Sequence, residues 1–192
     1  MRNRLALTVV AGLALLAGCS DGASETAEQR PAATSAPSTS GPESPPPTGT
    51  SPREGKPSSD ARLTVTGVRL GHHDGFDRVV YELGGTGTPG WRVQYTGRAV
   101  QDGSGRVVDV AGQSILEVQI LGSAYPWDSG ATPYAGPDPA TDPGVPGIAG
   151  VYGTQVFEGT TQSFIGVNAD KPGFAVSSLE NPARLVIDVA TG

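Results

Sequence analysis

Short runs of alternating apolar and polar residues, separated by turn clusters, constrain the fold of residues 60–192 more than any other feature. A period of two is typical of β-strands that bury one face, and no segment shows three turns of helical periodicity. A short helix is expected only near 177–180. The sequence therefore predicts an all-β fold, a β-sandwich or an open barrel of short antiparallel strands. The expected strands are 63–70 with an irregularity at Gly67, 78–83, 91–96, 106–110, 115–121, 151–157, 164–167, 174–177 and 184–189.

Length and charge restrict what this β-rich part can do. Residues 60–192 are enough for one domain with its own core. They contain 8 Lys and Arg against 14 Asp and Glu, a net charge of −6. An acidic domain without basic clusters is a poor candidate for binding nucleic acid or anionic lipid headgroups.

The preceding segment, residues 19–59, is predicted to be a linker. From residue 20 to 59 it contains no Leu, Ile, Val, Met, Phe, Tyr or Trp, and it is rich in Pro, Ser and Thr. Because it has no apolar side chains to offset chain entropy, it is expected to be disordered. It is interpreted as a tether with a reach of about 35–40 Å as a flexible coil. The alternative is unstructured padding without a length requirement.

Residues 1–18 have the order of segments found in export signals. Arg2 and Arg4 precede an uncharged apolar run, 5–17, which is shorter than the about 20 residues that a transmembrane helix needs. The run ends in Leu-Ala-Gly-Cys, which resembles a bacterial lipobox. The resemblance implies cleavage before Cys19, lipidation of its sulfur and a position on the outer face of the cell membrane. The alternative is a secreted protein in which this single cysteine occurs by chance.

One hexapeptide pattern occurs twice in the domain. Residues 78–83 and 184–189 both read Arg, apolar, Val, apolar, acid, apolar. Alternation places the Arg, the Val at the third position and the acid on one face of the strand. The other three apolar residues then lie on the opposite face. The pattern predicts two core strands with charged outer faces, and the alternative is coincidence between two β-rich segments. The residues expected to face the core are Val79, Tyr81, Leu83, Leu185, Ile187 and Val189.

The charges of this repeat also predict a register. If the two strands are neighbours, we expect antiparallel pairing with Val80 opposite Val186. Parallel pairing in the same register would set like charges side by side. If the strands are not neighbours, the repeat records only two similar core strands. The antiparallel register sets Arg78 beside Asp188 and Glu82 beside Arg184.

Three segments resemble the AMIN-like domain of actinobacterial lipoproteins. They are Phe76 to Leu83, Phe157-Glu158-Gly159 and Asn181 to Val189, and the resemblance covers about 62–192. It implies a β-sandwich related to the AMIN domain, which localises its hosts in the envelope and binds peptidoglycan. A localisation or binding role is therefore implied, without a defined set of functional residues.

The connection 122–150 is unusually long for a compact β domain. It contains six Pro, six Gly, three aromatic residues, three acids and no Lys or Arg. Loops longer than about 12–15 residues are generally functional or disordered. Aromatic rings can stack on sugars, and carboxylates beside them can accept hydrogen bonds from sugar hydroxyls, so the loop is predicted to form a glycan site. The alternative is a plug that packs its own aromatic residues over the sandwich. The candidate ligand-binding residues are Tyr125, Trp127, Asp128 and Tyr134 of this loop, with Trp91 and Tyr95; Asp138 and Asp142 are its other acids.

The remaining chemistry favours a protein without catalytic residues, metal or cofactor. His72 and His73 are the only histidines, they lack a third imidazole, and they are expected in an exposed polar loop. No serine has a Gly-x-Ser-x-Gly context. Carboxylates such as Glu158 and Asp188 would need folding to join them, and acids in an acidic domain are usually solvated.

The sequence thus predicts a lipid-anchored, non-enzymatic envelope module that binds peptidoglycan or another wall glycan. The competing hypothesis is a structural or assembly lipoprotein that binds another envelope protein, and a cell-wall hydrolase is a third. An exposed surface shared by Trp91, Tyr95, Trp127 and Tyr134 would favour glycan. A broad apolar patch or an open, uncharged sheet edge would favour a protein partner.

Overall fold

The computed structural model describes residues 45–191. The predicted signal peptide, Cys19 and the linker up to residue 44 lie outside the described residues. Within the described range the chain forms nine strands and one short helix. In chain order these are β1 (Arg53–Gly55), β2 (Arg62–His73), β3 (Phe76–Thr86), β4 (Gly90–Thr96), β5 (Ser114–Leu121), α1 (Pro126–Ser129), β6 (Ile148–Phe157), β7 (Thr160–Val167), β8 (Phe174–Leu179) and β9 (Arg184–Ala190).

The strands form two antiparallel sheets, which confirms the all-β prediction. One sheet has the order β1-β4-β5-β7-β6 and the other has the order β2-β3-β9-β8. Their facing sides share one apolar cluster, so the fold is a β-sandwich. This cluster is drawn entirely from residues between 63 and 189, and the described part therefore contains its own core. Its largest fully buried side chains include Tyr81, Leu63, Phe174, Leu116, Ile120, Ile165, Leu185 and Ile187.

The repeated hexapeptide forms β3 and β9, which are neighbours in the four-stranded sheet. They pair antiparallel with Val80 opposite Val186, as the charge pattern predicted. All six residues expected to face the core are buried. The expected irregularity near Gly67 is also confirmed, because the pairing of β2 with β3 shifts between Val65 and Gly67.

Only one of the two cross-strand charge pairs forms an ion pair. Arg78 donates from Nε to Asp188 Oδ1 at 2.6 Å and from Nη2 to Asp188 Oδ2 at 2.9 Å. Glu82 instead pairs with Arg69 on β2 at 2.9 Å. The Nε of Arg184 donates to the carbonyl of Pro182 at 3.3 Å. The register thus follows the charges, while the second pair uses other partners.

Two local predictions are wrong. Residues 106–110 form no strand, and Val107 makes only an isolated bridge to Val100. Between Val100 and Val107 the chain reverses in a tight turn, in which Gly103 and Gly105 have φ of 75° and 67°. Where a helix was expected, near 177–180, residues 177–179 belong to β8, whose ladder with β9 extends the backbone, and Glu180 begins the following turn. The described helix is instead α1, inside the long loop.

The prediction that the linker is disordered up to residue 59 is wrong for residues 45–59, which we call the strap. The backbone N–H of Phe174 on β8 donates to the carbonyl of Gly49 at 2.8 Å. Further on, β1 pairs with β4, with Gly55 opposite Trp91. A Cβ on Gly55 would come within 2.5 Å of the Trp91 indole, so glycine permits this approach. The strap is held by backbone hydrogen bonds and close packing, which need no apolar residues.

We expect measurable coupling in the ion pair that forms and almost none in the pair that does not. In a double-mutant cycle, Arg78→Ala with Asp188→Ala should give about 1 kcal/mol of coupling, because a two-pronged, partly buried pair is lost. The matched cycle of Glu82→Ala with Arg184→Ala should give close to zero. Urea unfolding measures both, and equal coupling in the two cycles would contradict the described contacts.

We also expect the strap to stabilise the domain. A chain that begins at residue 60 loses the hydrogen bonds of β1 and of Gly49 together with the cover over Trp91. Its free energy of unfolding should be about 2 kcal/mol lower than that of a chain that begins at residue 45. Urea denaturation provides the comparison. Coincident unfolding curves would show that the strap contributes nothing to the fold.

Candidate functional site

The long loop divides into a buried part and an exposed part. Val145 is 2% exposed, Ala140 is 6% exposed, and both belong to the core cluster, against which Tyr134 packs. Trp127 is 76% exposed and Tyr125 is 37% exposed. We call residues 134–150 the C-terminal half of the loop and residues 122–133 its N-terminal half. The C-terminal half packs as the plug of the alternative hypothesis, and the N-terminal half presents the rings of Tyr125 and Trp127 to solvent.

The N-terminal half is fixed to the start of β2. The backbone N–H of Leu63 donates to Gly122 O at 3.0 Å, and that of Ala124 donates to Leu63 O at 2.8 Å. The Thr64 hydroxyl donates to Ala124 O at 2.8 Å and lies 2.6 Å from the Ser129 hydroxyl at the end of α1. The segment that carries the exposed rings is thus joined to β2 by hydrogen bonds at both of its ends.

Local sequence explains why a single helical turn forms here. Pro126 is at the first helical position, where its missing N–H costs nothing, and Gly130 ends the turn with φ of 72°. This turn brings the rings of Tyr125 and Trp127 into a stack, with centroids 4.7 Å apart and planes at 6°. Tyr125 covers one face of the indole, and the high exposure of Trp127 leaves the other face open.

A cavity of about 260 Å³ adjoins this stack. It lies between β2 and β6, the edge strands of the two sheets, beneath the loop. Its wall contains no charged residue. An uncharged wall of rings, hydroxyls and an amide suits a neutral, hydroxyl-rich ligand such as a sugar. The lining residues are Thr64, Tyr125, Pro126, Pro133, Tyr134, Thr154, Gln155 and Val156.

Tyr134 is held as a wall of the cavity. Its backbone N–H donates to Val65 O at 2.8 Å, and its hydroxyl donates to Pro137 O at 3.1 Å. Burial, with a smaller contribution from the Asp138 carboxylate, raises the pKa of the Tyr134 phenol. The phenol therefore remains a neutral hydrogen-bonding group at physiological pH.

The three acids of the loop lie apart. Asp128 is exposed on α1 beside Trp127. Asp138 accepts a hydrogen bond from the Gly153 N–H at 3.0 Å, and Asp142 accepts one from the Gly144 N–H at 2.8 Å. Of the three, Asp128 is therefore the acid in the helical turn that carries Trp127.

Trp91 and Tyr95 belong to a different part of the molecule. Both are half-buried on β4, on the same face as the fully buried Val93, and pack against the core. The Tyr95 hydroxyl donates to Pro172 O at 2.7 Å. Burial, together with Asp170, raises the pKa of Tyr95 to about 12. The structure thus brings together four of the six candidate binding residues and places these two against the core cluster, Trp91 under the strap.

Sequence reasoning missed a second cavity, of about 170 Å³, on the outer side of β6 and β7. Gln162 lies in its wall and accepts a hydrogen bond from the Asp102 N–H at 2.8 Å. No sequence signal marked residues 102–105, which border this cavity, as part of a site. The lining residues are Gln101, Asp102, Arg106, Val108, Asp138, Gly153, Gln155, Val156, Phe157, Gln162 and Phe164.

The two histidines, at the end of β2, contact Asp77 and Phe76 of β3. His72 is half exposed at the end of β2, and its Nδ1 lies 2.6 Å from Oδ1 of the fully buried Asp77. The other oxygen of Asp77 accepts a hydrogen bond from the Gly147 N–H at 2.6 Å, and His73 stacks on Phe76 with ring centroids 4.7 Å apart.

In residues 45–191 no group of three His, Cys, Asp or Glu side chains is arranged to hold a metal ion. The same residues include no helix of the length and apolar character that crossing a membrane requires.

Comparison with known proteins identifies the domain. No curated protein and no solved structure matches the chain significantly. The sequence profile of the AMIN-like domain matches residues 63–191, which reach from β2 to β9 and make up well over half of the chain. The chain therefore belongs to the AMIN-like domain family.

Proposed function

We propose that the protein is a lipid-anchored, non-catalytic module of the cell envelope that binds the glycan of peptidoglycan through the stacked rings of Tyr125 and Trp127. Membership of the AMIN-like family suggests a peptidoglycan-related binding module and is associated with localisation in the cell envelope. The Leu-Ala-Gly-Cys sequence around Cys19 supports the lipid anchor.

The observation that carries the binding proposal is the open face of the Trp127 indole beside an uncharged cavity. An indole that is 76% exposed contributes little to the core, yet here it is held in place by the Tyr125 ring and the short helix. A ring fixed in advance loses little conformational entropy when a ligand stacks on it. The Asp128 carboxylate next to it would accept hydrogen bonds from sugar hydroxyls.

The position of the rings relative to the start of the strap also supports the proposal. Pro46 packs against Gly75, in the turn between β2 and β3. The helix α1 lies at the other end of β2, where Thr64 contacts Ser129. From Thr64 to His73, β2 is about 30 Å long. The strap therefore begins at one end of β2 and the rings lie at the other, so that the tether leaves the ring-bearing end of the domain uncovered.

We expect Trp127→Ala to weaken binding to purified, protein-free peptidoglycan about fivefold or more, because stacking on an aromatic ring contributes about 1 kcal/mol or more. Its unfolding midpoint should change little, since the ring is exposed. Leu179→Ala is the matched control, because Leu179 is also a large exposed apolar residue, on the edge strand β8. Sedimentation with the wall polymer measures binding.

The outcome separates the competing hypotheses. Equal binding by wild type and Trp127→Ala would remove the aromatic stack from the site. A large loss of stability in Trp127→Ala, without a separate binding defect, would make the ring part of the core. If the wild type does not bind the polymer at all, the glycan proposal fails and the alternative of an envelope-protein partner takes its place.

The lipid anchor has its own test. Cys19→Ser should abolish metabolic labelling with a fatty acid and leave the precursor uncleaved, because the acylated sulfur is missing. Labelling and a gel shift on processing report the two steps. A variant that is still labelled and normally processed would contradict anchoring through Cys19.

A further inference from the structure

The two cavities lie on either side of β6 and share part of their walls. Both are lined by Gln155 and Val156, which follow the irregularity in the pairing of β6 with β7. Gln155 pairs with Gln162, on the outer side of the sheet, and Val156 pairs with Thr161. With volumes of about 170 Å³ and 260 Å³, each is smaller than the about 300–1,000 Å³ of typical ligand sites. A ligand would have to occupy both cavities to fill a volume in that range.

The chemistry of the outer cavity differs from that of the aromatic one. Its wall includes the carboxylates of Asp102 and Asp138, the guanidinium of Arg106 and the amides of Gln101 and Gln155, with Gln162 behind them. Amides donate and accept hydrogen bonds, as a peptide group does. Sugar hydroxyls can donate to the carboxylates, but a neutral sugar has no anionic group for Arg106. An amino-acid unit has a carboxylate for Arg106 and an ammonium group for the acids.

Gln162 holds this cavity in its shape. Its Nε2 donates to Val100 O at 3.1 Å and to Glu117 Oε1 at 2.8 Å, and its Oε1 accepts from the Asp102 N–H at 2.8 Å. These bonds tie the turn that carries Asp102 to the outer face of β5 and β7. The polar wall is therefore built before a ligand arrives, which lowers the entropy cost of binding.

The charges of the outer cavity are not neutralised within the protein. Among residues 45–191, Arg106 is exposed and forms no ion pair. Burial, together with the nearby Glu117 carboxylate, raises the pKa of Asp102. A ligand carboxylate would pair with Arg106, and a ligand ammonium group would relieve the repulsion between the carboxylates.

We infer that the outer cavity binds the peptide part of a peptide-substituted glycan whose sugar lies on Trp127. The inference rests on the proposed function and adds to it that the ligand is the peptide-bearing polymer rather than a bare glycan chain. The shared wall at Gln155 and Val156 sets the two subsites next to each other, as a sugar and its attached amino acids are in such a polymer. Arg106 is the residue that takes the peptide carboxylate.

The inference is tested with three defined ligands: a wall disaccharide, the same disaccharide carrying its peptide, and the free peptide. Calorimetry is performed on the chain from residue 20 onward, which retains every described strand. The disaccharide-peptide should bind at least tenfold tighter than the disaccharide. Arg106→Gln should remove about tenfold of that advantage, which corresponds to about 1.4 kcal/mol, and leave disaccharide binding unchanged. Arg98→Gln is the matched control, because Arg98 is exposed on the same loop, outside the cavity wall.

Each outcome has a separate meaning. Equal affinity for the disaccharide with and without peptide, or an equal effect of Arg106→Gln and Arg98→Gln, overturns the peptide subsite and leaves the proposed function intact. Binding of the free peptide that depends on Arg106, without disaccharide binding, supports the subsite and contradicts the glycan site. If no ligand binds, both proposals fail.

Discussion

A sandwich of two open sheets exposes its apolar layer along two sides, and both sides must be covered for the domain to fold. Sheets of five and four strands bury their facing sides, but between their edge strands the apolar layer would meet water. The long loop covers one side, between β2 and β6, by inserting Val145 and Ala140 into the core and packing Tyr134 against it. The strap bridges the other side, between β4 and β8.

The candidate site is a consequence of how the first side is covered. The C-terminal half of the loop provides the cover, which frees the N-terminal half to hold Trp127 outward on α1. Binding and stability are therefore assigned to different residues of one segment. Because the cover rests on the edge strand β6, the same strand forms a wall of both cavities. This arrangement is the basis of the proposal that a ligand on Trp127 extends across β6 to the outer side of the sheet.

The sequence predicted what side-chain patterning determines and missed what the backbone determines. Alternation located the core strands, and the charges of Arg78 and Asp188 predicted the register of β3 with β9. The strap has no such pattern, because Gly49 and β1 are held by main-chain hydrogen bonds. The sequence predicted only part of the candidate site. Aromatic residues indicated the long loop, but Trp91 and Tyr95 lie on the same face of β4 as the buried Val93 and pack against the core. The outer cavity depends on contacts such as Gln162 with Asp102, which are distant in sequence.

We propose that the end of the sandwich that bears the stacked rings and β6 is the ligand-binding end. Amide chemical shifts test this proposal when the isotope-labelled chain from residue 20 onward is titrated with a soluble fragment of peptidoglycan. We expect the shifts to change in 122–134 and 153–157, and the turn at 73–76, at the opposite end of β2, to be unaffected. Shifts confined to that turn, to β8 or to the strap, with none around Trp127, would contradict it.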